Sequence, residues 1–461
     1  MKIDATNPQY DAWHPIWTKC RDAIAGQERV HSAGTTYLPK LTGQKQSEYD
    51  AYKLRASYFN ASGRTLDGMT GMIFRKKPTI EAPESMSAIL ANVDMCGSPL
   101  MAFAESIVSE LIEVSRVGIL VDYPPSSTEG MTLGQIQALG LRPYATLYKT
   151  ESILDWRYTR IGNAEVLSMV KLYETSDIKV DEFEYEKQEQ IRVLDLFEGA
   201  YRVRVYVKGK KDYELVSESF PTMNGKKFPE IPFIFASVNG IDSDVKKPVL
   251  LDLVNINLSH YRSTADYEHG LHFTGLPTPI FWGANFEEGA SFSLGSSEGM
   301  AFNNPAGHAE YLEFTGQGLS ALRTAIEDKQ AMMASLGSKM LAAEKRVVEA
   351  AETAAIHRSA ENSILSSISY AGSSAMTKML EWLAMWSKVN AEVSVTLNTD
   401  FLPAQMSPQL FSELTKAYMT GALSFEEYFA NLKDGEIIRA ETTEEEERER
   451  LQSAEPQLSE L

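Results

Sequence analysis

One string in the chain has the spacing of a hydrolase nucleophile: Gly295-Ser296-Ser297-Glu298-Gly299 fits the G-x-S-x-G pattern. In that pattern the serine hydroxyl attacks an ester or amide carbonyl, and the serine sits on a sharp turn between a strand and a helix. Here Asn303-Asn304-Pro305 follows instead, and a helix does not readily start there. We therefore interpret the string as a loop, and a serine hydrolase built around Ser297 stays an alternative.

A second group with chemical potential consists of histidine and acidic side chains between residues 260 and 272. On a helix turning about 100° per residue, His260 and His272 lie roughly 120° apart, and Gly270 interrupts the pattern. The H-E-x-x-H string of zinc hydrolases and the glycine-rich phosphate loops are absent from the sequence. We therefore predict no catalytic residues, no metal, no cofactor and no enzymatic activity.

The charge balance disfavours tight binding of nucleic acid. The 461 residues contain 44 Lys and Arg against 63 Asp and Glu, for a formal net charge of −19. A protein that holds DNA or RNA strongly must neutralise phosphates with basic side chains.

The two cysteines, Cys20 and Cys96, are too few for a disulfide framework and indicate folding in a reducing compartment. A secretory signal and a membrane-spanning run of apolar residues are not predicted.

The spacing of apolar residues predicts an α+β protein that is predominantly helical. Aromatic and small residues recur every three or four positions over 47–66, which predicts one helix there. From about Tyr144 to Phe235 the period changes to two, which predicts an antiparallel β meander. The helical period returns over 250–271 and again over 318–383, and a helical pair is predicted at 407–421 and 424–432. The glutamate-rich end predicts a disordered tail.

Several strings taken together resemble a portal family of tailed bacteriophages that is often filed as a domain of unknown function. No string is diagnostic alone, but their order matches that family from about Tyr37 to Leu432. The matching strings are Tyr37-Leu38-Pro39, the segment 49–64, Gly71-Met72-Ile73-Phe74-Arg75-Lys76-Lys77-Pro78, the segment 248–275, Leu336-Gly337, Glu352-Thr353-Ala354 and Asn398-Thr399-Asp400-Phe401.

This resemblance implies a portal fold with wing, stem, clip and crown. It assigns residues 1–247 to an N-terminal wing of helices followed by the meander, and 248–271 to a stem helix that lines a channel. Residues 272–317 would hold the clip, a second stem element and the tunnel-loop region. Residues 318–400 would form the long wing helices and a return strand, 401–440 the crown helices, and 441–461 the acidic tail.

The function that the resemblance implies is structural. Portals form a ring, typically of twelve subunits, at one capsid vertex, through which DNA is packaged and ejected. Its implied partners are further copies of the chain, double-stranded DNA passing without sequence specificity, the large terminase subunit, a head–tail adaptor, and a major capsid or scaffolding protein, with no membrane. The implied location is the virion, with assembly in the host cytoplasm. A virion adaptor or scaffold that forms no ring is the other alternative.

Candidate site residues follow from this assignment. One polar stripe of the expected stem helix is predicted to line the DNA channel, and it contains Asp252, Asn255, Ser259, Arg262 and Asp266. A channel through which DNA slides must bind phosphates weakly. Each neutralised phosphate adds binding free energy, and that contact must be broken at every step. Ordinary solvent exposure explains the same stripe equally well. The tunnel-loop or clip candidates are Asn285, Glu287, Glu288, Ser296, Ser297, Asn303 and Asn304.

Overall fold

The computed structural model of the chain describes residues 2–124, 140–210, 212–223, 226–275, 278–282, 306–312, 317–337, 351–401, 406, 408–439 and 442–454. These residues divide into two compact units, Met1–Leu397 and Asn398–Leu461. Helices and strands are largely segregated along the chain, which gives the α+β class expected from the sequence. Among the described residues, no helix is both long enough and apolar enough to cross a lipid bilayer.

The helices of the first unit occupy its two ends in sequence. They are α1 Pro8–Ala25, α2 Gln27–Ser32, α3 Gln46–Arg55, α4 Ala61–Ile73, α5 Ser87–Leu90, α6 Leu100–Val114, α7 Leu251–Gly275, α8 Gln317–Ser335 and α9 Ala351–Trp386. The apolar helix α6 lies among the other helices, where α1, α4, α9 and the strand Arg116–Asp122 pack around it. Nine of its fifteen residues are buried, so it contributes much of the core.

The strands between these helices form antiparallel sheets. The strands are β1 Thr79–Glu81, β2 Arg116–Asp122, β3 Tyr144–Lys149, β4 Ile153–Ile161, β5 Ala164–Lys179, β6 Tyr185–Phe197, β7 Ala200–Lys208, β8 Tyr213–Ser219, β9 Thr222–Met223, β10 Lys226–Lys227, β11 Phe233–Ser237, β12 Gly240–Ile241, β13 Thr278–Trp282, β14 His308–Leu312 and β15 Ser394–Thr396. A four-stranded sheet has the order β12-β11-β2-β3. The predicted meander is confirmed for β4 to β8, which form a five-stranded sheet in sequence order, whereas β3 and β11, at the two ends of the predicted range, join the four-stranded sheet.

Side chains of the two larger sheets contact each other around Gly118 and Arg116. On the β2 side Gly118 leaves room for neighbours, since a Cβ there would lie 2.4 Å from the Phe233 ring and 2.8 Å from the Ile153 side chain. The guanidinium of Arg116 is fully buried, 3.9 Å from the Trp156 ring centre and 4.7 Å from that of Phe235. Within the described residues its three nitrogens have no hydrogen-bond partner, and burial lowers the pKa of Arg116 to about 9. Burying a charge without a partner opposes folding. Contact with the two aromatic rings is therefore the interaction that stabilises this cation.

The predicted helix over 47–66 is wrong as a single element. The chain leaves the helical conformation at Ala56, which is extended, and α4 begins anew after Asn60. The Asn60 side chain accepts a hydrogen bond from the Gly63 backbone N–H and donates one to the Ile24 carbonyl. The Asn60 N-cap, held by a residue of α1, therefore starts a new helix although the aromatic spacing continues across it. The spacing of residues in the sequence gives no information about such a contact between distant parts of the chain.

The second unit contains the helices α10 Pro408–Met419, α11 Phe425–Asp434 and α12 Glu444–Ala454. The predicted helical pair is confirmed: Ser424 caps α11 by accepting a hydrogen bond from the Glu427 N–H, and the Tyr418 and Tyr428 rings stack between the two helices. The segment expected as a disordered tail differs from that expectation, because residues 444–454 are helical. Four of its glutamates, Glu444–Glu447, lie in the first helical turn, where the helix dipole favours negative charge, and Arg448 pairs with Glu444 at 2.7 Å.

Candidate functional site

The long helix α7 has one buried and one exposed face, as the sequence predicted for a helix over 250–271. Its buried face packs against the N-terminal helices α1, α3 and α4 and against α8. That face contains Leu253, Val254, Asn257, Leu258, His260, Tyr261 and Ala265. Because these positions recur every three or four residues, they occupy one side of the helix.

The predicted stripe residues lie on the other face. Asp252, Asn255, Arg262 and Asp266 are exposed and Ser259 is half-buried. At about 100° per residue these five positions fall within roughly 80° of the helix circumference. The structure therefore brings the stripe together as one surface strip along α7, and this strip is the candidate functional site.

Polar groups from other parts of the chain hold the strip in place. Lys247 Nζ lies 2.7 Å from an Asp252 carboxylate oxygen, and Lys19 Nζ donates a hydrogen bond of 2.9 Å to Asn255. Tyr52 donates its hydroxyl to Asp266 over 2.6 Å, and burial together with that carboxylate raises the pKa of Tyr52. The carboxylates are thus oriented by neighbours rather than left mobile, a feature that the local sequence did not indicate.

Helix α1, which supplies Lys19, is itself fixed by a cluster around Arg21. The Arg21 guanidinium bonds to carboxylate oxygens of Glu113 at 2.6 Å and of Glu151 at 2.8 Å, and it also bonds to Glu110. All four side chains are mostly buried. Burial raises the pKa of Glu113 more than Arg21 lowers it, whereas Arg21 outweighs burial at Glu151 and lowers the pKa of that carboxyl. The cluster joins α1 to α6 and to the start of β4.

A buried asparagine anchors α7 from its other side, and the sequence reasoning did not identify it. Asn257 accepts hydrogen bonds from the Ser62 N–H at 3.1 Å and from the Ser62 hydroxyl at 2.9 Å. Its amide donates to the Phe59 carbonyl at 2.7 Å. The sequence does contain a signal for this anchor, because Asn257 is an amide on the apolar side of an amphipathic helix. A polar group that is buried there requires a hydrogen-bond partner.

Replacing Asn257 by leucine is expected to lower the free energy of unfolding by about 2 to 4 kcal/mol, because Ser62 and the Phe59 carbonyl would be left buried without their partner. Urea unfolding followed by tryptophan fluorescence measures the loss. The control is Asn255→Leu, two residues earlier and on the exposed strip, which should change stability by less than about 0.5 kcal/mol. Equal losses for the two variants would contradict the anchoring role.

Helix α8 runs antiparallel to α7. Leu319, near the start of α8, contacts Gly270 so closely that a Cβ added there would lie 2.6 Å from a Leu319 methyl. Gln330, near the end of α8, lies beside His260, with 3.3 Å between their side-chain nitrogens. Lys329 bonds to the Ser263 hydroxyl. Burial, with a smaller contribution from Lys329, lowers the pKa of His260. This imidazole is therefore part of the helix interface.

The two helices are joined through the antiparallel strands β13 and β14, in which Thr278 pairs with Leu312 and Trp282 with His308. The Trp282 and His308 rings stack at 4.6 Å between centroids. The loop candidates Asn285, Glu287, Glu288, Ser296, Ser297, Asn303 and Asn304, and with them the whole G-x-S-x-G string, lie outside the described residues.

The histidine and acidic group between 260 and 272 is divided between the two faces of α7. His260 lies on the buried face and Asp266 on the exposed strip. Within the described residues, no three His, Cys, Asp or Glu side chains are arranged to hold a metal ion.

The candidate site falls in the part of the chain that matches a known family. A family model described as a domain of unknown function, DUF4055, matches residues 249–387, which include α7, the β13–β14 pair, α8 and α9. No curated protein matches the chain.

Among solved structures, the chain is similar to a chain in the neck of a native GTA particle computed with C12 symmetry. The identity is 10% and the TM-score 0.39, over 82% of this chain and 91% of that one. It is also similar to a chain in the neck of an empty GTA particle computed with C6 symmetry. There the identity is 9% and the TM-score 0.39, over 94% of this chain and 100% of the other.

Proposed function

We propose that this chain is the subunit of a portal ring, typically of twelve copies, at one vertex of a phage-like capsid. The ring is the channel for packaging and ejecting double-stranded DNA. The observation that carries the proposal is the exposed polar strip of α7, because it lies on the helix that the sequence resemblance assigns to the channel wall. The opposite face of that helix is buried, so the strip is the surface that α7 can present to a channel.

The charges of the strip suit passage rather than adhesion. Two aspartates and one arginine lie on the strip, and Lys247 and Lys19 contact it, so acidic and basic groups nearly balance there. Because duplex DNA is a polyanion, a wall with so little net charge attracts the phosphates only weakly and leaves few contacts to break as the strand moves. Arg262, which lies near the Tyr37 carbonyl, is the cation within the strip that can centre the duplex.

The order of elements supports the assignment and changes one boundary in it. The sequence reasoning placed the second stem element within residues 272–317 and grouped 318–400 with the wing. In the structure the helix that pairs with α7 is α8, residues 317–335, and the strand pair β13–β14 lies between them. We therefore assign the second stem element to α8 and the clip to the segment around β13 and β14.

The partners follow from the same proposal. The clip would meet the large terminase subunit during packaging and a head–tail adaptor afterwards, and the wing would contact the major capsid or scaffolding protein. The protein would act in the virion, after assembly in the host cytoplasm, and would carry out no catalysis.

Purified full-length protein is expected to form rings with an axial opening in negative-stain electron micrographs. Native mass spectrometry counts the subunits, with twelve expected. A protein that stays monomeric at all concentrations, or an assembly without an axial opening, would overturn the proposal. A small defined oligomer without a hole would instead favour a virion adaptor.

A further inference from the structure

The strands β5 and β6 extend beyond the rest of their sheet as a two-stranded arm. Along β5 the pairing with β4 stops at Leu172, and along β6 the pairing with β7 begins only at Gln190. Beyond these points the backbone of Thr175–Lys179 pairs with Tyr185–Glu189 and with no other described strand, and the Glu189 side chain at the base pairs with Lys208. Five residues of strand reach roughly 17 Å. We call residues 175–189 the arm.

The arm exposes large apolar side chains near its tip. Phe183 is 88% exposed, and Ile178, Val180 and Tyr185 are between 41% and 59% exposed. A two-stranded hairpin is barely stable in water alone, and contiguous exposed apolar residues mark interaction surfaces. The tip therefore has the character of a surface that another molecule covers.

One face of the arm combines this apolar character with negative charge. Ile178 pairs with Glu186, and the Val180 N–H bonds to the Glu184 carbonyl, so these four side chains share a face. The matching partner surface is one that combines apolar and positively charged side chains. DNA does not meet that description.

A surface of this kind lies at the opposite end of the same sheet. The last residues of the edge strand β4 are exposed, and they include Arg157 and Ile161, which lie on either side of a register shift between Arg157 and Tyr158. The Arg157 side chain is 58% exposed and Ile161 is 55% exposed. We call residues 157–161 the β4 end.

The arm and the β4 end of one subunit cannot meet each other. They lie at opposite ends of β5, whose 16 residues span roughly 50 Å. Closed rings, however, are built from heterologous contacts, in which one patch meets a different patch on the next copy. Two complementary patches at opposite ends of one sheet fit that requirement.

We propose that the arm of each subunit docks on the β4 end of the neighbouring copy, with Glu184 and Glu186 facing Arg157 and with Phe183 and Val180 packed beside Ile161. This inference rests on the proposed ring. The occupant of the arm is thus a second copy of this chain, and the contact contributes to closing the ring.

Charge exchange in the full-length protein tests the proposal. Two variants reverse the charge on one side of the contact: the double variant Glu184→Lys with Glu186→Lys, and the single variant Arg157→Glu. Each should raise the concentration for half-assembly at least about 10-fold, as measured by mass photometry. Combining all three substitutions should restore assembly to within about 3-fold of the unsubstituted protein, since the charges again attract. Phe183→Ser should also weaken assembly, whereas Leu54→Ser, at a residue 81% exposed on α3, should leave it unchanged.

The possible outcomes separate the two proposals. Rings from the unsubstituted protein together with unimpaired assembly of the arm variants would overturn the arm contact and leave the portal proposal standing. Impaired single-site variants without restoration in the combined variant would overturn it as well, and would point to a different protein as the occupant. Absence of rings from the unsubstituted protein would overturn both.

Discussion

Duplex DNA is expected to bind the assembled protein at least about 1,000-fold more tightly at low salt once Asp252 and Asn255 are both lysine. Both residues are exposed on the α7 strip, and the two substitutions add three positive charges to each subunit. Repeated around a ring, these ammonium groups would neutralise several phosphates at once and release their counterions. Fluorescence anisotropy with a labelled duplex, measured from about 50 to 200 mM salt, gives the affinity and its salt dependence.

The control for this experiment carries the same change in charge at a different place. Glu105→Lys with Ser106→Lys also adds three charges, on exposed positions of α6. Because these lysines lie off the strip, the control should bind duplex no more than about 10-fold more tightly than the unsubstituted protein. Equal binding by the two variants would mean that net charge, and not the strip, governs contact with DNA.

Replacing Arg21 by methionine is expected to lower the free energy of unfolding at pH 7 by about 3 to 5 kcal/mol. The substitution keeps the side chain's bulk and removes the charge that Glu110, Glu113 and Glu151 share in a mostly buried cluster. Three carboxylates would then face one another without the guanidinium. The midpoint of urea unfolding, followed through tryptophan fluorescence, measures the loss.

The loss in the Arg21→Met protein should depend on pH with a definite sign. Without Arg21, burial and mutual repulsion raise the carboxyl pKa values in the folded state above those of the unfolded chain. The folded state then binds more protons, so the variant loses stability as pH rises through the raised values. The deficit relative to the unsubstituted protein should therefore be smaller at pH 5 than at pH 8.

Arg323→Met is the matched control, because Arg323 pairs with Glu327 on the exposed side of α8. An exposed pair of this kind contributes less than about 1 kcal/mol, so this variant should unfold nearly like the unsubstituted protein at both pH values. A pH-independent deficit in Arg21→Met would show that the side chain acts through packing alone. Such a result would assign the fixing of α1, and with it the position of Lys19, to apolar contacts.

Local patterns in the sequence predicted much of the fold. The period-two stretch gave the five-stranded meander, and the helical period from 250 onwards gave α7 with its buried and exposed faces. The polar strip was predictable for the same reason, because residue type and helical spacing place five side chains on one face. The helix predicted over 47–66 failed because Asn60 caps α4 through contacts with α1, which spacing does not register.

The sequence by itself determined the negative charge, the segregation of helices and strands, and which face of α7 meets solvent, because these depend on side-chain chemistry and on spacings of two to four residues. The tertiary structure alone decided what holds that helix. Ser62 meets Asn257 across 195 positions of chain and Tyr52 meets Asp266 across 214, and no local periodicity encodes such pairs. It likewise decided that α8 is the partner of α7 and that the arm projects beyond its sheet, since both depend on where strands and helices stop pairing in space.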